Sequence, residues 1–300
     1  MSLASKFGIK PELLPTPSVY CTDNRRVGIE IEQEYRTEQQ YRKCQEVMSD
    51  KYWTVKGDGS LRHFGVEFCS NILYPGDVDA ALDQVFDYLQ AGTFSWRTGI
   101  HVHIDVSDLD EAQIRSVCEL YAVVEPVLFE WEGNERDQSR FCVPWYTCPA
   151  AVRAMLSQLD GDEFAVREAF ERFGKYSALN LTSIPRFGTI EFRHMQTVND
   201  KEKLRKYVNI CLAIVEAGKE KINAGQMLSM NGAENFIRAT FDKSLSFLDG
   251  TPVDFDRAWQ SIDVINNIKM STIPQRRKKK QMNDDVFMKR VLQATKRGVK

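Results

Sequence analysis

Six segments alternate apolar and polar side chains with a period of two: VGIEIEQEY (27–35), YWTVK (52–56), GVEFCS (65–70), GIHVHIDV (99–106), YSALNL (176–181) and GTIEFRHM (188–195). The alternation predicts strands with one buried and one polar face. Between them, Val78, Ala81, Leu82, Val85, Phe86 and Leu89 share one helical stripe. Asp108 followed by Glu111 resembles a capping box ahead of Ile114, Val117, Cys118 and Tyr121, and Pro126 should kink or split that helix. Asn199 followed by Glu202 opens another helix, with Leu204, Tyr207, Val208, Cys211 and Val215 facing inward. Further helical patterns cover about 162–172, 233–248 and 254–268, and a short one follows Asn283. The strands often succeed one another directly and look half polar. A doubly wound parallel sheet would need near-continuous apolar strands, so the expectation is an α+β fold whose largely antiparallel sheet carries helices on one face.

Composition narrows the class. With 300 residues, 43% of them apolar, the chain can build a large core, which excludes a disordered or fibrous protein. Seven cysteines form no C-x-x-C pair and fall mostly at apolar positions, which fits a reducing cytoplasm. The apolar run YAVVEPVLF is broken by Glu125 and Pro126, so no membrane span is expected, and the first residues do not read as a secretory signal. Charge is unevenly placed: residues 275–300 carry ten Lys/Arg against two Asp/Glu, which leaves −10 on the rest. The expected organisation is an N-terminal extended arm (1–25), a main domain with a helical C-terminal part (26–274) and a basic tail (275–300). Runs such as QRRKKKQ most often form solvated linkers, and contact with nucleic acid or with the acidic body is the alternative.

Three strands carry candidate chemistry. In VGIEIEQEY, Glu30, Glu32 and Glu34 share one face, with neighbours roughly 7 Å apart. Each pair would repel by about 2.4 kcal/mol at an effective dielectric of 20, but only about 0.6 kcal/mol in water. A wet face needs nothing to offset that; a cleft needs cations. TGIHVHIDV places two of the four histidines, His101 and His103, on one polar face with Asp105. GTIEFRHM puts Glu191 and Arg193 on one face and His194 on the other. There the two charged residues either pair with each other, or Glu191 holds a metal while Arg193 meets a phosphate. Glu67 in GVEF repeats the alternation. Hard oxygen donors with imidazoles suit Mg²⁺ or Mn²⁺. No G-x-x-x-x-G-K-[ST] loop is present, so phosphate handling would fall to metals and arginines.

The succession GIEIE, W-x-x-K-x-DGSL, G-x-E, TGIHVHID, Y-x-ALNL and TIEFRHMQT-x-x-D resembles the amidoligases, ATP-dependent carboxylate–amine ligases related to glutamine synthetase and the glutamate–cysteine ligases. The resemblance covers about residues 26–215 and implies a glutamine-synthetase-like catalytic domain. It implies that Glu30, Glu32, Glu67, His101 and Glu191 are metal ligands, and that Arg193 faces the phosphoryl group. It also implies that Asp58, Ser60, His103 and Asn180 line the nucleotide or substrate cleft. Lys175 stands where such relatives usually carry Arg. The implied reaction uses ATP to phosphorylate a carboxylate, and an amine then displaces phosphate to form an amide. Glu34 and Asp105 are the candidates for deprotonating the amine, the first without a secure counterpart in the family. The irregular stretch 132–149 reads as a substrate lid or as a packed excursion, with Arg140, Trp145 and Tyr146 as its contact residues.

Two rivals are weighed. His103, Asp105 and His194 satisfy the H-x-D…H order of a non-haem iron oxygenase, although His194 has the wrong parity. A non-catalytic nucleic-acid-binding module would act through the basic tail. The acid and amine substrates and the oligomeric state are not legible.

Overall fold

The computed structural model describes residues 2–10, 25–47, 51–74, 76–89, 91–133, 135–221 and 223–224. The alternating segments become β1 (Val27–Tyr35), β2 (Trp53–Gly57), β3 (Phe64–Ser70), β4 (Gly99–Asp105), β5 (Leu179–Asn180) and β6 (Thr189–Gln196). They form one sheet in the order β2-β3-β1-β4-β6-β5, every neighbouring pair antiparallel. The fold is α+β, as the half-polar strands imply. The 176–181 segment contributes only two residues, because its first half bonds elsewhere. Val143 donates to the Tyr176 carbonyl and accepts from the Ala178 N–H, both at 2.8 Å.

Seven α-helices are present among the described residues: α1 (Glu38–Val47), α2 (Val78–Leu89), α3 (Glu111–Glu132), α4 (Pro149–Leu156), α5 (Glu163–Phe173), α6 (Ile184–Phe187) and α7 (Lys201–Lys219). The largely polar α1 and the short α4 have no counterpart in the periodicity. On the apolar side of the sheet, Ile29, Ile31, Phe68, Ile100, Val102, Ile104, Ile190 and Phe192 are fully buried. There α3 packs on α7, α3 reaches β6 and α7 reaches β4. Gly218 lets α3 and α7 meet, since a Cβ there would lie 2.7 Å from the backbone of Val117.

Several local expectations shift. The cap of α3 is Asp110, reciprocally bonded with Gln113, because Asp108 is taken by Arg25. Asp200, not Asn199, caps α7 through the Lys203 N–H. Pro126 does not split α3, which runs unbroken through it. Burial of residues 116–129 on both sides of the proline outweighs its cost of about 3 kcal/mol. Residues 2–10 are not extended: Ala4–Phe7 form a 3₁₀ turn, and buried Leu3 donates to the Leu109 carbonyl at 2.7 Å. The six described cysteines are free and five of them are buried. Among the described residues no helix is long and apolar enough to cross a membrane. The helical patterns at 233–248 and 254–268 and the basic tail lie outside the described residues.

Candidate active site

Residues directly opposed in an antiparallel pair point to the same face. The register opposes Lys56 to Glu67, Glu67 to Glu32, Glu30 to His101, His103 to Glu191, and Glu191 to Asn180. One polar face therefore gathers side chains from all six strands. Between β4 and β6 the register slips, so that Arg193 and His194 both oppose His101. This bulge keeps Arg193 on the polar face while His194 and Met195 both go to the core.

The resulting cleft, about 330 Å³, is lined by all five metal-ligand candidates (Glu30, Glu32, Glu67, His101 and Glu191) and by Arg193. Asp58, Ser60, His103, Lys175 and Asn180 line it too. His101 Nδ1 lies 3.1 Å from Glu30 Oε2 and 3.6 Å from Glu191 Oε1, and its Nε2 lies 4.0 Å from Glu32 Oε1. His103 Nε2 lies 3.6 Å from Glu30 Oε1, and its Nδ1 meets the Thr189 hydroxyl at 3.1 Å. The Gly99 N–H donates to Glu32 at 2.8 Å. Glu191 accepts from Asn180, from the Ser183 hydroxyl at 3.3 Å and from Arg193. The pairing reading of Glu191 and Arg193 is thus met, and both side chains still face the cleft.

Donor atoms within 4.8 Å of one another form three sets here: Glu30/His103/Glu191, Glu32/Glu67/His101 and Glu30/Glu67/Cys69. Burial, with the nearby charges of Glu67 and Glu30, pushes the Cys69 thiol up to about 12, so it stays protonated and suits a hard cation poorly. The buried Nε2 atoms of His101 and His103 have no hydrogen-bond partner, as expected of imidazoles aimed at a ligand. These residues fit a pair of divalent ions. Burial works to raise Glu30, but the hydrogen bond from His101 and the adjacent His103 hold it well below the usual carboxylate range. Burial likewise opposes the charge on Glu191, yet Arg193, His103 and His101 bring it down to about 2. Glu32 moves the other way, raised by burial against the pull of His101 and Arg193.

Other candidates sit elsewhere. Glu34 is buried and accepts the Arg62 N–H at 2.8 Å, and Asp105 is engaged by Arg26 and the Ser107 N–H. Neither is among the residues lining the cleft. Arg140 stands at the rim over the rings of Phe141 and Trp96. The excursion 132–149 is packed rather than a loose lid, because Glu125 of α3 accepts the N–H groups of Trp145 and Tyr146 at 2.8 and 2.9 Å. Trp145 is a core residue, donating its ring N–H to the Leu179 carbonyl. Lys56, 2.6 Å from Glu67, lines the cleft unforeseen, although the W-x-x-K pattern contained it. Phe141, Thr182, Ser183 and Arg186 also line it, from turns and the short α6 that no periodicity marks, and Tyr176 joins them from the alternating 176–181 segment.

The iron-oxygenase reading fails on geometry. His194 is buried on the opposite side of the sheet, with its Nδ1 3.2 Å from the Tyr207 hydroxyl and its ring packed among Tyr121, Phe129 and Tyr207. It cannot join His103 and Asp105.

A fold in which acidic and imidazole groups converge on one face of an antiparallel sheet defines a candidate metal-dependent enzyme. Residues 22–215, more than half of the chain, match the model of the Amidoligase_2 family, described as "putative amidoligase enzyme". The chain belongs to this family. A search of curated proteins finds no match.

Proposed function

We propose that the protein is an ATP-dependent carboxylate–amine ligase that works through an acyl phosphate. The observation that carries this reading is the meeting of two carboxylate–imidazole donor sets, Glu30/His103/Glu191 and Glu32/Glu67/His101, beside one buried guanidinium. A carboxylate does not condense with an amine directly, because oxide is too poor a leaving group; transfer of the γ-phosphoryl of ATP makes phosphate the leaving group instead. Mg²⁺ or Mn²⁺ held by these sets would neutralise phosphate charge and hold the transferring group in line. Arg193, held above its ordinary value by Glu191 and Glu32 despite burial, keeps its charge at any working pH and presents a planar fork to the phosphoryl oxygens. Asn180 and Ser183 hold one oxygen of Glu191, which leaves the other facing Arg193 and His101. Lys56 and Lys175 add positive charge along the walls.

The test is phosphate release from ATP that requires both a carboxylate and an amine, screened by mass spectrometry for a condensation product. Glu30→Gln and Glu191→Gln should abolish turnover with the fold retained, and Arg193→Lys should lose most of it. Undiminished rates in both Glu variants reject the site.

A further inference from the structure

Where β1 ends and β4 begins, three guanidiniums gather around two stacked rings. Trp96 and Phe141 lie with centroids 5.9 Å apart at 26°. Arg97 sits 4.8 Å from the Trp96 centroid and 5.7 Å from that of Phe141. Arg140 sits 5.9 and 4.9 Å from the same two, and Arg62 sits 6.0 Å from Trp96. Among the described residues none of these guanidiniums is ion-paired. Arg97 donates to the Ser60 carbonyl, while the buried Nε atoms of Arg97 and Arg140 have no acceptor. Glu34, whose charge reaches Arg97, is held by the Arg62 backbone. Three guanidiniums near a single carboxylate leave net positive charge there, and an oxyanion offsets it through charge-assisted, forked hydrogen bonds.

The rim joins the cleft, since Ser60 and Phe141 line both and the Phe141 carbonyl accepts from Arg193 at 3.4 Å. At its other end the cleft adjoins a mainly apolar cavity of about 280 Å³, walled by Ile72 and Phe187 over the Gly28 backbone, which shares Glu30 and His103. The absence of a side chain at Gly28 keeps that cavity open, as a Cβ would meet His103 Cβ at 3.3 Å. The donor sets lie between two unlike subsites. A flat nucleobase suits the apolar cavity, and this leaves the cationic rim to the other substrate.

We propose that Arg62, Arg97 and Arg140 bind a second anionic group of the carboxylate substrate, so that the acid activated is di- or polyanionic. The substrate role rests on the ligase reading; the anion site does not. Glu34 follows Glu32 by two residues and Glu30 by four. The second anion therefore sits about 7 Å along the strand from the nearer donor set, a span that the outermost carboxylate oxygens of a short dicarboxylic or tricarboxylic chain cover.

Isothermal titration of the full chain with tricarballylate, and separately with MgATP, tests this. In the Arg62→Gln/Arg140→Gln variant, tricarballylate affinity should fall by about tenfold or more while MgATP affinity stays within about twofold. Arg62→Gln alone, at an exposed position, serves if the double variant does not fold. Unchanged tricarballylate affinity, or no binding to the wild type at millimolar concentration, overturns the anion site. A parallel loss of MgATP affinity assigns the rim to nucleotide phosphates and overturns the substrate role. Wild-type protein that binds tricarballylate but not MgATP sinks the ligase reading and the substrate role with it, while the anion site stands.

Discussion

Glu32 and Glu67 oppose each other across β1 and β3, each less than a tenth exposed, with an unbonded His101 Nε2 beside them. Burial raises Glu32 against the pull of His101 and Arg193, so it holds its proton more tightly than a free carboxyl. A divalent ion reverses that response. Adding Mn²⁺ or Mg²⁺ at about a hundredfold excess over Kd should stabilise the protein by about 2.7 kcal/mol, or roughly 5–10 °C in Tm. The shift should shrink as pH falls, because the ion competes with the proton. Differential scanning fluorimetry with and without EDTA measures this, and Glu32→Gln should lose most of the shift. An equal shift in that variant would place the ion elsewhere.

At the scale of elements, the site depends on what lies behind it. The 141–147 segment, which delivers Phe141 to the cleft, hangs on the fully buried Glu125 carboxylate, bonded to two backbone N–H groups and to the Tyr121 hydroxyl at 2.7 Å. Glu125→Ala leaves those donors unsatisfied, at about 1–3 kcal/mol each. It should lower the urea midpoint and speed amide exchange at Trp145 and Tyr146; protected amides there would refute the tether. A second dependence is the α3–α7 contact. Gly218→Ala places a methyl within 2.2 Å of Val117 Cγ2 and 2.7 Å of its backbone, so it should cost about 1–3 kcal/mol by chemical denaturation. Neither residue stands out in the sequence: Gly218 sits in a helical pattern that alanine would fit, and Glu125 reads as a break in an apolar run.

For the whole molecule, pH separates the core from the site. Burial, with a smaller push from Arg136, brings His194 down to about 3 from its ordinary 6.5. Its folded form is neutral, so below pH 6.5 the unfolded chain binds more protons and stability falls as pH falls, by at most about 1.4 kcal/mol per unit. Glu191, depressed from 4.5 to about 2, adds its own loss only below about pH 4.5. Between about pH 6.5 and about pH 4.5 the slope of the urea midpoint sums His194 with Glu32, which burial raises and which therefore acts with the opposite sign, so the histidine's share is read from its variant. His194→Gln should flatten that slope, and an unchanged slope would assign it to other groups.

Alternation along the chain was enough to identify five strands nearly to their ends, the polar parity of Glu30, Glu32, Glu67, His101, His103, Glu191 and Arg193, and the inward stripes of α2 and α7, because a strand's period of two and a helix's of 3.6 are local geometry. Order of motifs carried the family. Strand order, register and the bulge at Arg193 and His194 were not legible, since they follow from pairing between distant segments. Only that pairing decides that Glu67 meets Glu32 and that Glu34 and Asp105 fall outside the cleft. It also brings Lys56, Ser183 and the three rim arginines in from turns and strand ends. Their side chains act through neighbours remote in sequence, and a one-dimensional pattern records nothing of such contacts.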